Sequence, residues 1–210
     1  MTVIAAKALI FDLDGTLVDT TAIVNQTWSR WCERHGISLA SVLSICHGIP
    51  SREVIAALAP HLDIAAEVRW LEQAEMAAVS GVREIPGARE LLCSLDERDW
   101  AICTSGTLPV SIPKLDTSIL PLPRIRVTAE RVSRGKPHPE PYLLAARLLG
   151  RAPQECVVFE DASAGIAAAL AAGCRVVVIG ESDIRHRRVL ARIPHYQGVR
   201  YRGGELSLPV

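Results

Sequence analysis

The sequence predicts an α/β protein: a doubly wound parallel sheet, Rossmann-like, with an α-helical cap domain inserted after its first strand. Three observations carry that expectation. Most short runs rich in β-formers are continuously apolar, not alternating, as suits parallel strands covered on both faces. Helical patterns separate the later runs, giving the strand–helix alternation of a doubly wound sheet. Between the first run and Pro86, only helical periodicity is present. The core would take residues 1–19 and 86–210, and the helical block residues 20–85.

Each element has a local reason. Ala8–Phe11 is the first strand. Thr20–His35 then places Val24, Trp28 and Trp31 on one helical face and stops at Gly36. Ser51–Ala59 and Ile64–Val79 continue in the same style, and the tryptophan stripe reads as the core of the block. Pro86–Leu95 is a helix carrying Leu91, Leu92 and Leu95. Trp100–Thr104 and Ile125–Val127 are the next strands, and Pro139–Leu149 is a helix ended by Gly150. Strand Cys156–Phe159 leads to an Ala-rich helix, Ala162–Ala172, with Asp161 and Ser163 as candidate caps and Gly173 as its stop. Arg175–Ile179 is the fifth strand. Arg185 to Arg188 reads as a solvated helix face, and Tyr201–Leu208 as a hairpin or an extended tail.

Bulk properties narrow the function. At 210 residues the chain can bury a full core with room for an insertion. Lys+Arg and Asp+Glu both number 23, which removes attraction to nucleic acid or anionic membrane as a leading idea. The most apolar stretch, Ala164–Gly180, is broken by Gly173 and Arg175 and reads as helix, stop and strand, not as a membrane span. No secretory h-region precedes the first strand. The six cysteines are scattered without a C-x-x-C pair, as expected of reduced thiols in a cytoplasmic protein.

The chemistry is concentrated where the strands end. Phe11–Val18 reads F-D-L-D-G-T-L-V, so the first strand finishes in two carboxylates. Such charges are costly beside a core unless a metal or a charged partner compensates them. A calcium loop is excluded, because no further ligands or closing Glu follow at the required spacing. Open α/β sheets collect ligands at the carboxyl ends of their strands. The second strand ends there in Thr104-Ser105-Gly106, a hydroxyl followed by a turn whose amides can face an anion. The fourth ends in Glu160-Asp161, and Lys136 lies between prolines and glycine ahead of a helix. Individually these are ordinary features: a strand-end hydroxyl, a loop lysine, a helix-capping acid. Together they suit an octahedral Mg²⁺ site with a phosphate ligand. A carboxylate there can attack phosphorus, and a second can move the proton. No Gly-x-x-x-x-Gly-Lys-Ser/Thr loop is present, so nucleotide-driven transfer is not indicated.

From about Lys7 to Gly180 these motifs resemble the haloacid dehalogenase superfamily, in the branch with a helical cap after the first strand. The resemblance implies Asp12 as nucleophile and Asp14 as acid/base, with the Asp14 backbone carbonyl on Mg²⁺. It implies phosphate binding by Thr104, Ser105, Gly106 and Lys136, and Asp161 as a direct metal ligand with Glu160 binding through water or weakly. The dehalogenases themselves lack an acid at the Asp14 position, so the chain is similar to a phosphatase. Its strings T-S-G-T, T-A-E-R-V and G-K-P-H-P-E-P-Y are similar to those of small sugar-phosphate and polyol-phosphate phosphatases. Ser51 and Arg52, between cap helices, are placed where this branch selects its substrate. One departure is Pro113, which should shorten or kink the helix after Thr104.

Four rivals are weighed. A β-phosphoglucomutase-like phosphomutase would carry a His in the first cap helix, where this chain has Val24. A phosphoglycolate-type phosphatase differs only in substrate. A phosphorelay receiver has the acids in another order and no inserted block. A non-catalytic scaffold would not need four intact motifs. The expected partner is a small phosphorylated metabolite, with neither nucleic acid nor membrane, and the expected protein is a monomer or weak dimer.

Overall fold

The computed structural model describes residues 2–209. Its centre is a six-stranded, all-parallel sheet in the order β6-β5-β2-β7-β8-β9. These strands are β2 (Ala8–Phe11), β5 (Trp100–Cys103), β6 (Ile125–Val127), β7 (Cys156–Glu160), β8 (Arg175–Ile179) and β9 (Val189–Ile193). The chain runs outward from β2 to β6 and then returns to the other side of β2. That reversal is the switch point at which such sheets bind ligands.

Continuous apolar strands are buried on both faces. Leu9 and Phe11 meet Leu91, Leu92 and Leu115 from α5 (Ala88–Cys93) and α6 (Leu108–Thr117). Ala8 and Ile10 meet Tyr142, Ala145 and Ile166 from α7 (Glu140–Leu148) and α8 (Ser163–Ala172). Phe11 and Phe159, opposite in register, stack with centroids 4.8 Å apart.

Between β2 and β5 lie α1 (Thr21–His35), α2 (Leu39–Leu43), α3 (Ser51–Leu58) and α4 (Ile64–Ala78). They have a core of their own, in which Trp28 and Trp31 meet edge to face at 5.4 Å. Glu67 is buried there and accepts from Trp31 Nε1 and pairs with His35 Nε2, both at 2.9 Å. The two connections to the sheet run side by side as a short antiparallel pair, β3 (Val18–Asp19) with β4 (Arg83–Glu84).

Four expectations are corrected. The sheet has a sixth strand, β9, whose V-L-A-R-I is only partly buried at an edge and so lacks the apolar run of its neighbours. The Arg185–Arg188 stretch is not a helix but a connection into β9, where Arg188 is drawn to the Leu170 carbonyl. Neither Asp161 nor Ser163 caps α8, since its N-cap is Ala162, whose N–H is met by Glu160. Pro113 does not end α6, which runs through it for ten residues. The tail forms a hairpin, β10 (Arg200–Arg202) and β11 (Glu205–Leu208), extended by β1 (Thr2–Ala5). All six cysteines are free, five buried and Cys93 exposed. Among the described residues no helix is long and apolar enough to cross a membrane.

Candidate active site

Three neighbouring strand ends deliver the acids and the hydroxyl. Asp12 follows β2, held by its N–H donating to the Phe159 carbonyl at 3.0 Å. Thr104 follows β5, and Glu160-Asp161 close β7. Asp12, Glu160 and Asp161 each bring a carboxylate oxygen to within 4.8 Å of the others. Lys136 is fully buried among them, donating to Asp12 Oδ1 at 2.6 Å and Glu160 Oε1 at 2.7 Å. Its ammonium also lies 5.0 Å from the Tyr142 ring centre.

Two buried carboxylates and a partly buried third against one ammonium would, if all were ionised, carry an excess of two negative charges. Burial pushes Asp12 well above the usual carboxylate range, with Lys136 opposing and Glu160 and Asp161 adding to the rise. Burial and the adjacent Glu160 push Asp161 up to about 7, while the Thr16 hydroxyl opposes. A strained all-oxygen donor set of this charge is what a divalent cation relieves. Gly15, at φ +81°, lies so close to Asp161 that a Cβ would collide with the carboxylate. Thr16 Oγ1 donates to Asp161 Oδ1 at 2.7 Å, fixing its rotation.

The other predicted residues divide by what they touch. The Gly106 N–H donates to Thr104 Oγ1 at 3.0 Å, so that amide is turned onto the hydroxyl and leaves the hydroxyl's own proton to donate elsewhere. Ser105 Oγ donates to the Gly48 carbonyl at 2.8 Å, joining the loop to the helical block. Asp14 is not in the acid cluster through its side chain: Lys114 Nζ holds its Oδ1 at 2.6 Å. Glu160 touches the cluster, but it also accepts from Lys136, Tyr142 OH and the Ala162 N–H, which makes it the holder of Lys136. Ser51 opens α3 and lines the cavity. Arg52 lines it too, but its guanidinium is spent on the Ala129, Val132 and Ser133 carbonyls, at 3.1, 3.1 and 3.5 Å. Through these carbonyls it clamps α3 to the core.

Sequence reasoning missed Lys114, Glu72 and Glu75. Glu72 accepts from Thr107 Oγ1 at 2.5 Å and Glu75 pairs with Lys114 at 2.9 Å, so α4 meets α6 through polar groups. No local pattern marks these residues. Thr16 and Tyr142, by contrast, stood in the D-L-D-G-T and G-K-P-H-P-E-P-Y strings.

Asp12, Asp14, Asp161 and Thr104 open into a cavity of about 600 Å³ roofed by the helical block, also lined by the apolar Val24, Trp28 and Val68 and the polar Arg69 and Glu72. A carboxylate at a strand end, a second two residues away and a buried ammonium meet at the switch point of a parallel sheet, where such folds collect ligands. The chain belongs to the haloacid dehalogenase-like hydrolases, whose family model matches residues 9–179. It is 48% identical over 178 residues to hexitol phosphatase A of Escherichia coli K12, covering 82% of each chain. It is 36% identical over 196 residues to 2-deoxyglucose-6-phosphate phosphatase 2 of Saccharomyces cerevisiae, covering 82% of this chain and 79% of that one. The β-phosphoglucomutase of Clostridium difficile superposes with a TM-score of 0.78 at 21% identity, over 90% of this chain and 91% of that one, which speaks for the fold alone.

Proposed function

We propose that this protein is a Mg²⁺-dependent phosphatase that hydrolyses monoesters of small sugars or polyols through an aspartyl-phosphate on Asp12, in the cytoplasm. The observation that carries the reading is the Asp12–Lys136–Glu160 constellation, with Asp14 two residues on, in a chain 48% identical to a hexitol phosphatase. The helical block, residues 20–85, would serve as the cap over it.

With one oxygen of Asp12 held by Lys136, the other is the nucleophile that bonds to phosphorus as the ester P–O bond breaks. Asp14 gives its proton to the departing alkoxide. In the second half, water attacks the acyl phosphate and passes a proton to Asp14, releasing inorganic phosphate and restoring Asp12. The Thr104 hydroxyl and Lys136 neutralise charge on the phosphoryl oxygens, with Ser105 and Gly106 shaping the loop around them. Asp12, Asp161 and the Asp14 carbonyl would hold Mg²⁺ beside Glu160, and the ion supplies further charge neutralisation when bound.

The cavity is of small-molecule size, and its carboxylate and hydroxyl lining suits a polyhydroxylated substrate. Val24 lines it where the mutase-like branch would carry a His, which favours water as the phosphoryl acceptor.

The test is a screen of sugar, polyol, nucleotide and glycolate phosphates with Mg²⁺ or EDTA. Free phosphate should appear from the sugar and polyol esters, and only with metal. Asp12→Asn should abolish turnover while remaining folded by circular dichroism. Isomerised sugar phosphate without free phosphate, or full activity of Asp12→Asn, would overturn the reading.

A further inference from the structure

Lys114 is the second buried lysine of the molecule, 3% exposed, and nothing in the steps above uses it. It sits on α6, and its ammonium is shared between two elements: Asp14 Oδ1 at 2.6 Å from the β2 end, and Glu75 Oε2 at 2.9 Å from α4 of the helical block. Burial alone would disfavour its charge, but Asp14 and Glu75 outweigh that and hold the lysine strongly protonated. Glu75 is itself raised by burial, with Lys114 opposing. A lone ammonium here would be several kcal/mol out of balance, and two carboxylates from two elements offset its charge and take up its hydrogen bonds. Glu75 reaches it only while α4 is seated over the site.

The grip is directional. Lys114 takes Oδ1 of Asp14, while Oδ2 faces the phosphate loop, 3.9 Å from where a Cβ on Gly106 would stand and on the same side as Thr104 Oγ1. Rotation of the carboxyl would lose the charged hydrogen bond to Oδ1. We propose that Lys114 is a positioning residue for Asp14, aiming its free oxygen at the leaving group, and that Glu75 makes this aim depend on the helical block being seated. The inference rests on Asp14 being the acid/base of the proposed function.

A leaving-group comparison tests it. Departure of an alkoxide from glycerol or hexitol phosphate requires a proton, whereas p-nitrophenolate leaves without one. The parameter kcat/KM reports the steps up to that departure. Lys114→Met should lower kcat/KM about 100-fold or more for the polyol esters but less than about tenfold for p-nitrophenyl phosphate. Lys114→Arg should recover part of the loss. Glu75→Gln, which keeps the lysine, should show the same selectivity at smaller size, and it carries the test if Lys114→Met does not fold. Equal losses on both ester classes in the folded variants, or no loss on either, would overturn the role of Lys114 while leaving the phosphatase reading intact. A wild-type protein that hydrolyses no ester would remove both.

Discussion

Glu160 is fully buried and does not line the cavity, yet it holds Lys136 at 2.7 Å, and Gly165 leaves the room it occupies. The carboxylate lies under the first turn of α8, and any Cβ at Gly165 would overlap it. Helix propensity alone says that Gly165→Ala should stabilise α8 by about 0.5–1 kcal/mol. Here sterics should win, because the carboxylate is pinned by Lys136, Tyr142 and the Ala162 N–H and cannot step aside without losing at least one of them. A charged hydrogen bond lost in the core costs about 1.5–3 kcal/mol. Gly165→Ala should therefore lower stability by that order in denaturant unfolding and reduce kcat about 100-fold or more through misplaced Lys136. A stabilised variant of normal activity would show that Glu160 does not set the lysine. At this scale the acids, Thr104 and Lys136 were legible because each is tied to a strand end or a motif. Lys114 was not: its partner Asp14 is 100 positions away, and a lysine in an amphipathic helix ordinarily reads as solvated.

Among elements, the informative junction is α3 against the Thr128–Ser133 turn after β6. Arg52 closes it by donating to three backbone carbonyls from a helix that otherwise belongs to the block. A clamp and a substrate reader predict different mutants. If Arg52 clamps, Arg52→Ala should lower kcat/KM by a similar factor, about tenfold, for every ester, since about 1.4 kcal/mol of docking is lost whatever sits in the cavity. If it reads hydroxyls, relative rates across polyol lengths should change by more than about threefold. The structure favours uniform loss. Strand and helix identities were legible wherever apolar runs or the 3.6-residue period were clean, as at β7 and α1. The period could not show which loop Arg52 would reach, nor pair β1 (Thr2–Ala5) with Glu205–Leu208 at the far end of the chain, because those partners are chosen by the assembled fold. Edge strand β9, half solvated, had too little apolar signal to be seen.

For the whole molecule, the site is a cost carried by the fold. Three acids and one lysine sit at the end of the central strands, and in the metal-free protein the excess charge must destabilise the sheet beneath them. The sign can be worked out for Asp161, whose carboxyl is moved from an ordinary 3.8 up to about 7. The folded state then binds this proton more tightly than the unfolded one. Its contribution favours folding below the usual carboxylate range and is lost progressively as pH rises towards about 7. In EDTA, Asp161→Asn should accordingly match the wild type near pH 4 but melt higher at pH 8, by about 2–4 °C for each kcal/mol relieved in a chain of this size. Under the proposed function, added Mg²⁺ should reverse the order. Wild-type protein at 100 times its dissociation constant should gain about 2.7 kcal/mol by mass action, whereas Asp161→Asn should gain much less and hydrolyse nothing. Thr16 can still donate to the Oδ1 of an asparagine, so loss of that hydrogen bond does not complicate the comparison. Thermal scans of both proteins, in EDTA and in Mg²⁺ at the two pH values, decide the matter. A variant less stable than wild type in EDTA at pH 8 would mean that Asp161 stabilises the apo-fold, and that the acid cluster is not strained without a cation.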